Sequence, residues 1–276
     1  MVKRTLSGII LAVVLVAAFI EGRYILLLLL CLASLAGLRE LYQTVGKGNK
    51  KLSHGRMDAL AMTGYGVTLL YYVMLLYGTT PGALLILLLA ALLLMMLIYV
   101  ARFPMYEPVD FFVAFFGLFY VPIMLSTVYL TRQREDGLYM VWFVFVGSWV
   151  CDTFAYFVGS AIGKHKMAPV LSPKKSWEGA VGGVLGSAVT GLVAGIIIEK
   201  LRVDGGMSVH LLYYVLISVV CAVFSQVGDL TASAVKRHYE VKDYGGVIPG
   251  HGGILDRFDS MIVTGPLIYI LLTLFV

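Results

Sequence analysis

The sequence predicts an all-α, polytopic integral membrane protein with about nine membrane-spanning helices and a polar active site on the cytoplasmic side. Hydrophobic residues make up 60% of the chain and charged residues only 13%, and the mean hydropathy is +0.91. Many apolar runs approach the roughly 20 residues that a helix needs to cross a bilayer. No alternating pattern typical of a membrane barrel is present, so backbone hydrogen bonding in lipid requires helices.

The predicted spans cover residues 5–20, 24–42, 59–77, 82–100, 110–130, 138–159, 179–198, 209–230 and 254–275. The first resembles a secretory signal, but it lacks a convincing small-residue cleavage site, so we expect a retained helix. Pro122 and Pro266 lie inside spans, where membrane helices tolerate proline. We divide the chain into N-terminal membrane helices (1–135) and C-terminal membrane helices that carry the polar motifs (136–276).

The basic residues predict the orientation. With a cytoplasmic N-terminus, 16 of the 21 Lys and Arg fall on the cytoplasmic side and the other five outside, as the positive-inside rule requires. We therefore expect a multi-pass protein of the inner (cytoplasmic) membrane. The net charge of +5 lies mainly between apolar runs, which favours anionic lipid headgroups and phosphate ligands over nucleic acid. The three Cys lie in apolar segments and predict no disulfide framework.

Few polar residues interrupt the first five spans. Arg39 and Glu40, near the end of the second span, are the exception. A snorkelling or paired helix end is the main interpretation, and a substrate contact is the alternative. In the second half Asp152 lies within a span without an adjacent base. A lone buried carboxylate would protonate, so we expect a cation or donors from another segment, or an acid that only ties two helices.

The segment 164–178 is predicted to be a polar loop stiffened by Pro173. Two hydroxyls and two ammonium groups could bind an anionic phosphate there, from Ser172, Ser176, Lys174 and Lys175. A loop selected only for topology could also explain the lysines, but the adjacent Ser and Pro weaken that alternative. Glu178 then opens the next helix with an acidic first turn, and a face of small residues predicts close helix packing, at Gly179, Gly182, Gly183 and Gly186.

A further polar group spans the eighth and ninth predicted helices. It consists of Asp229, Ser233, Lys236, Arg237, Asp256 and Asp259. The members on the eighth span share one helical face, and so do the two acids at the start of the ninth. Carboxylates from different helices suit Mg²⁺, which binds one or two carboxylates together with phosphate oxygens. A structural ion-pair network is the alternative.

This region resembles the signature of the phosphatidate cytidylyltransferases, also called CDP-diacylglycerol synthases, without a departure. The matching residues are Ser233, Lys236, Arg237, Lys242, Asp243, Gly245, Ile248, Pro249, His251, Gly252, Gly253, Ile254, Asp256, Arg257, Phe258 and Asp259. The SPKKSWEG segment and the GDL segment before the signature are similar to other polar motifs of the family, and the nine-span pattern fits it.

The resemblance implies CMP transfer from CTP to phosphatidate, which yields CDP-diacylglycerol and pyrophosphate. Two polyanions must meet, so catalysis is mainly neutralisation and positioning. We predict Asp229 and Asp256 as Mg²⁺ ligands, with Asp152 and Asp259 as candidates for a second shell or a second cation. Catalytic roles are predicted for Asp229, Asp256, Lys236, Arg237 and Asp259. Substrate contacts are predicted for Ser172, Lys174, Lys175, Ser176, Ser233, Lys242, His251, Gly252, Gly253 and Arg257.

The sequence leaves other functions open. An ion-coupled transporter would place its charges near the bilayer midplane in broken helices of related halves, whereas these gather at one face. A lipid-binding scaffold would explain basic loops but not the acids. Within the enzyme class, a CTP-using transferase acting on another lipid phosphate, such as an archaeal ether lipid, is the nearest alternative. A homodimer is equally compatible with the sequence.

Overall fold

The computed structural model of the chain describes residues 2–47, 58–201, 211–247 and 252–275, with side chains from residue 12 onward. The helices are α1 (Val2–Glu21), α2 (Tyr24–Gly46), α3 (Asp58–Leu76), α4 (Pro81–Ala101), α5 (Pro108–Leu118), α6 (Met124–Arg132), α7 (Gly137–Met140), α8 (Phe143–Phe145), α9 (Cys151–Ile162), α10 (Trp177–Leu201), α11 (Leu211–His238) and α12 (Leu255–Phe275). Two strands, β1 (Lys166–Ala168) and β2 (Ser172–Ser176), lie between α9 and α10.

The described residues contain eight helical segments long and apolar enough to cross a membrane, and each coincides with a predicted span. The remaining predicted span, residues 5–20, corresponds to α1. The apolar part of α1 whose side chains are described, Ala12–Glu21, is shorter than the other eight segments. The prediction of an all-α polytopic membrane protein is confirmed. Many large apolar side chains on these helices face outward, for example Leu93 and Leu97 on α4, as expected where lipid is the solvent.

Two spans contain a π-helical turn. Residues Phe119–Ile123 join α5 to α6 and contain Pro122, and residues Val146–Val150 join α8 to α9. Proline lacks an amide hydrogen and crowds the preceding turn, so a local widening accommodates it within a continuous span. Pro266 lies inside α12. The expectation that both prolines are tolerated within spans is confirmed.

The chain forms two compact units. The first comprises Met1–Tyr129 and Lys236–Phe258, and the second comprises Leu130–Val235 and Asp259–Val276. The unit boundaries fall inside α6, α11 and α12 rather than in loops. The first unit therefore combines the N-terminal helices with most of the signature segment.

In the first unit, buried hydroxyls pair across helices instead of remaining unsatisfied. The Tyr42 hydroxyl donates to the Ala114 carbonyl at 2.7 Å, and the hydroxyls of Ser34 and Tyr72 lie 2.8 Å apart. Because lipid offers no hydrogen-bond partners, such pairs join α2 to α5 and to α3.

In the second unit, α9 and α10 pack closely along the predicted small-residue face. A Cβ atom on Gly182 or Gly186 would overlap the side chain of Val158 or Phe154. The prediction that these glycines permit close helix packing is confirmed. Glu178 lies in the first turn of α10, also as predicted.

Candidate active site

The predicted loop 164–178 forms a β-hairpin. β1 and β2 are antiparallel, with Lys166 opposite Ser176 and Ala168 opposite Ser172. At its base the Trp177 amide donates to the His165 carbonyl at 3.0 Å, and His165 Nδ1 lies 2.6 Å from Glu178 Oε1. The segment was predicted only as a loop, and the two strands within it were not predicted. The strands are only three and five residues long, too short to show the apolar alternation that marks a strand in sequence.

The hairpin leads directly into α10. The Gly179 amide donates to the buried hydroxyl of Ser176 at 3.2 Å, so Ser176 satisfies one of the free amides at the helix start. This contact fixes β2 relative to α10. The preceding residues, Lys174 and Lys175, therefore lie on a strand that is hydrogen-bonded to the start of α10.

Lys175 forms an ion pair with Asp229 of α11, a contact between Nζ and Oδ2. The two side chains are 24% and 27% exposed, but the Lys175 Nζ atom itself is buried, so the ammonium group is desolvated and Asp229 supplies its counter-charge. An ammonium group beside a carboxylate at such a position can receive a phosphate oxygen on one side and keep its counter-charge on the other.

A cavity of about 450 Å³ lies beside this pair. Its polar lining includes Asp152, Lys174, Lys175, Ser176 and Gln226. We call these five residues together with Asp229 the hairpin cluster. Asp152 therefore shares a cavity with basic residues from the hairpin, in line with the expectation that it meets charges of another segment.

Gln226 is a site residue that was not predicted from the sequence. Its amide nitrogen donates to the Ala180 carbonyl at 3.2 Å and to Cys151 Sγ at 3.6 Å, and the residue is 8% exposed. Gln226 thus joins α11 to α10 and α9 one turn before Asp229. A polar residue inside an apolar span, three positions from an acid, was the available signal.

The first unit holds a second polar group around Asp256. Its Oδ1 accepts from Lys236 Nζ at 2.8 Å, and its Oδ2 accepts from the amides of Tyr244 at 2.8 Å and Gly253 at 3.0 Å. The Asp256 side chain is 3% exposed and that of Lys236 is 11% exposed. Such a buried charge pair is tolerable because every partner is hydrogen-bonded.

Glu40 of α2 belongs to the same arrangement. Its two oxygens accept from the amides of Ile254 and Leu255, at 2.9 and 2.8 Å. We call Glu40, Lys236, Tyr244, Gly253 and Asp256 the signature cluster. The sequence predicted a snorkelling or paired end of the second span for Glu40. In the structure Glu40 instead accepts from backbone amides 214 and 215 residues away, at the start of α12.

The remaining predicted residues are distributed as follows. In the first unit Arg237 and Lys242 are exposed, and Arg237 donates to the Val241 carbonyl at 3.2 Å. Arg257, in the same unit, has a buried Nε without a hydrogen-bond partner among the described residues. Ser233 is buried. Asp259 is buried in the second unit, where its Oδ1 accepts from the Ser260 amide at 2.7 Å. Gly252 has a positive φ of 83°, and His251 lies outside the described residues.

The two clusters differ in how well they suit a divalent cation. In the part of the chain that is described, no three His, Cys, Asp or Glu side chains are grouped as metal ligands. Asp256 already accepts three donors, which leaves little capacity for a cation in this conformation. Asp229 and Asp152 supply carboxylate oxygens, the ligands that Mg²⁺ prefers, in the partly exposed hairpin cluster. That Asp229 and Asp256 bind Mg²⁺ stays a prediction.

A polytopic α-helical membrane protein with lysines and an acid lining a cavity is suited to binding a phosphate ligand at a membrane. A profile of the Cytidylyltransferase family matches residues 2–275 of the chain. The chain belongs to this family, which confirms the resemblance recognised in the signature.

Curated relatives agree with the family assignment. Proteins named phosphatidate cytidylyltransferase from Staphylococcus saprophyticus and Staphylococcus epidermidis are 43% and 45% identical over 148 residues, 54% of this chain and 54% of each relative. The one from Bacillus subtilis is 42% identical over 141 residues, 51% of this chain and 50% of the relative. The matched region thus spans about half the length of these relatives.

Proposed function

We propose that the protein is a phosphatidate cytidylyltransferase that transfers CMP from CTP to phosphatidate. A phosphate oxygen of the lipid attacks the α-phosphorus of CTP. The bond from that phosphorus to the β-phosphate oxygen breaks, and pyrophosphate leaves with the electron pair. The products are CDP-diacylglycerol and pyrophosphate. The names of the curated relatives support this substrate pair.

The observation that carries the proposal is the hairpin cluster. Lys174 and Lys175 line a cavity together with Asp152, and Lys175 is paired with Asp229. Both substrates are polyanions, so the principal requirement is to neutralise and orient phosphate groups. A phosphate monoester is largely a dianion at neutral pH, since its second pKa is about 6, and it needs no strong base.

We further propose that Mg²⁺ assists, with Asp229 and Asp152 as ligands in the hairpin cluster. When bound, the ion would neutralise charge on the transferring phosphate. The lysines perform a separate task, because they bind phosphate oxygens as hydrogen-bond donors. In the signature cluster, Lys236 compensates the buried charge of Asp256 and keeps the segment before α12 in place.

A direct assay tests the proposal. Purified protein in detergent is incubated with labelled CTP, Mg²⁺ and phosphatidate, and label entering the lipid phase is measured. Transfer to phosphatidate supports the function. Transfer only to an ether-linked lipid phosphate would identify the related transferase instead, and no transfer to either lipid would contradict the enzyme class.

The proposed cytoplasmic location of the hairpin yields a labelling prediction. Val170 in the hairpin turn and Tyr77 at the end of α3 are 82% and 81% exposed, and the predicted topology places them on opposite sides. In a background with the three native Cys replaced by Ala, Val170→Cys should react with a membrane-impermeant thiol reagent only in inverted vesicles. Tyr77→Cys is the matched control and should react only in intact cells. The reverse pattern would contradict the orientation.

A further inference from the structure

Glu40 is a carboxylate buried within a membrane-spanning helix. It is 3% exposed, and a buried carboxylate is strongly destabilising unless it is hydrogen-bonded. Its partners are the amides of Ile254 and Leu255. These amides open α12, where the first amides of a helix have no partner within the helix. Glu40 therefore supplies an N-terminal cap to α12 from another helix. Its negative charge also interacts favourably with the positive end of the α12 dipole.

The cap continues into the signature cluster. The preceding amide, that of Gly253, donates to Asp256. Three consecutive amides are thus bound by two carboxylates, one from α2 and one from α12 itself. Because Asp256 also accepts from Lys236 and Tyr244, displacing the start of α12 would alter every contact of this acid.

Two glycines show how closely the signature segment surrounds Glu40. A Cβ atom on Gly245 or on Gly253 would overlap the Glu40 carboxylate. Gly246, directly beside Gly245, has open space at the same position. The contact with Glu40 therefore restricts Gly245 but not its neighbour, which provides a matched pair of substitutions.

We propose that Glu40 is a positioning residue, which fixes the start of α12 and the segment around Gly245 so that Asp256 and Lys236 keep their observed geometry. The consequence for catalysis rests on the proposed CMP transfer. Glu40 acts through these residues and contacts no substrate itself. A merely structural brace would lower stability without altering turnover of the folded protein, so stability and turnover must be measured separately.

Four variants and one control test this role. Glu40→Gln keeps the shape but directs amide hydrogens at backbone donors, whereas Glu40→Asp retains the charge. Gly245→Ala pushes against the intact carboxylate, and Gly246→Ala is its matched neighbour. Asp110→Asn is the control for stability, since Asp110 is a buried carboxylate that accepts the Glu107 amide at the start of α5 at 2.8 Å.

Hydrogen exchange provides a readout independent of activity. We expect Glu40→Gln and Gly245→Ala to accelerate exchange of the Ile254 and Leu255 amides by about tenfold or more, as loss of one hydrogen bond of roughly 1.4 kcal/mol would. Glu40→Asp should retain part of the protection, and Gly246→Ala all of it. Unchanged protection in Glu40→Gln would overturn the cap.

Turnover is compared at equal amounts of folded protein. We expect kcat to fall about tenfold or more in Glu40→Gln and Gly245→Ala with little change in KM for CTP, partial recovery in Glu40→Asp, and unchanged kcat in Asp110→Asn and Gly246→Ala. An unchanged kcat in both Glu40→Gln and Gly245→Ala would overturn the positioning role. An inactive wild-type protein would refute the proposed function and with it the catalytic consequence, whereas the exchange result would still decide the cap.

Discussion

Replacing Lys175 with Gln, or Asp229 with Asn, is expected to lower CMP transfer by about 100-fold or more, because each change removes a charge that organises phosphate groups in the cavity. Both side chains are about a quarter exposed, but the Lys175 Nζ atom is buried, so loss of either partner should lower stability by about 1–3 kcal/mol. The measurement is kcat/KM for CTP, normalised to folded protein, with the thermal midpoint recorded alongside.

Matched controls separate this effect from membrane topology. Lys164→Gln removes the same charge from the same side of the protein, but Lys164 does not line the 450 Å³ cavity. Glu135→Gln removes an exposed carboxylate from the same unit as Asp229. Both controls should keep kcat/KM within about twofold. If Lys175→Gln behaved like Lys164→Gln, the hairpin lysines would serve only orientation in the membrane.

Replacing Asp256 with Asn is expected to impair both folding and activity. Asp256 is buried and accepts hydrogen bonds from Lys236 and from two backbone amides. Removing one partner of a buried charge pair costs about 3–5 kcal/mol, since the other charge stays buried and unpaired. The expected fall in thermal midpoint is about 10 °C.

The double variant Asp256→Asn with Lys236→Met identifies the cause. Removing both charges should recover about half or more of the lost stability, because no ion remains buried alone. Transfer activity should remain absent, since the proposed catalytic groups are gone. Stability equal to that of the single variant would show that the backbone contacts, rather than the charge of Lys236, account for the loss.

Hydropathy predicted the helices well because burial in lipid imposes a length and a composition on each span. Span seven, predicted as 179–198, is observed as Trp177–Leu201. Helical spacing also placed Asp229 and Lys236 on one helix, which the structure confirms for α11. The agreement holds for features set by local sequence.

Tertiary partners were harder to predict. Nothing local to Glu40 indicates that its partners are amides 214 and 215 residues away. The Lys175–Asp229 pair was likewise not predicted, because acids and bases on one side of a membrane allow many pairings. The hairpin was missed because its strands are only three and five residues long, too short for a reliable periodicity.

The π-helical turn at Val146–Val150 makes the position of Asp152 depend on chain length as well as residue type. Such a turn contains one residue more than an α-helical turn, and each residue of an α-helix advances the chain by about 100°. Loss of a single residue from 146–150 would rotate Asp152 away from the cavity that it lines. Single-residue insertions and deletions in this stretch are therefore an evolutionary route by which a relative could turn this acid toward or away from the cavity without substituting the acid itself.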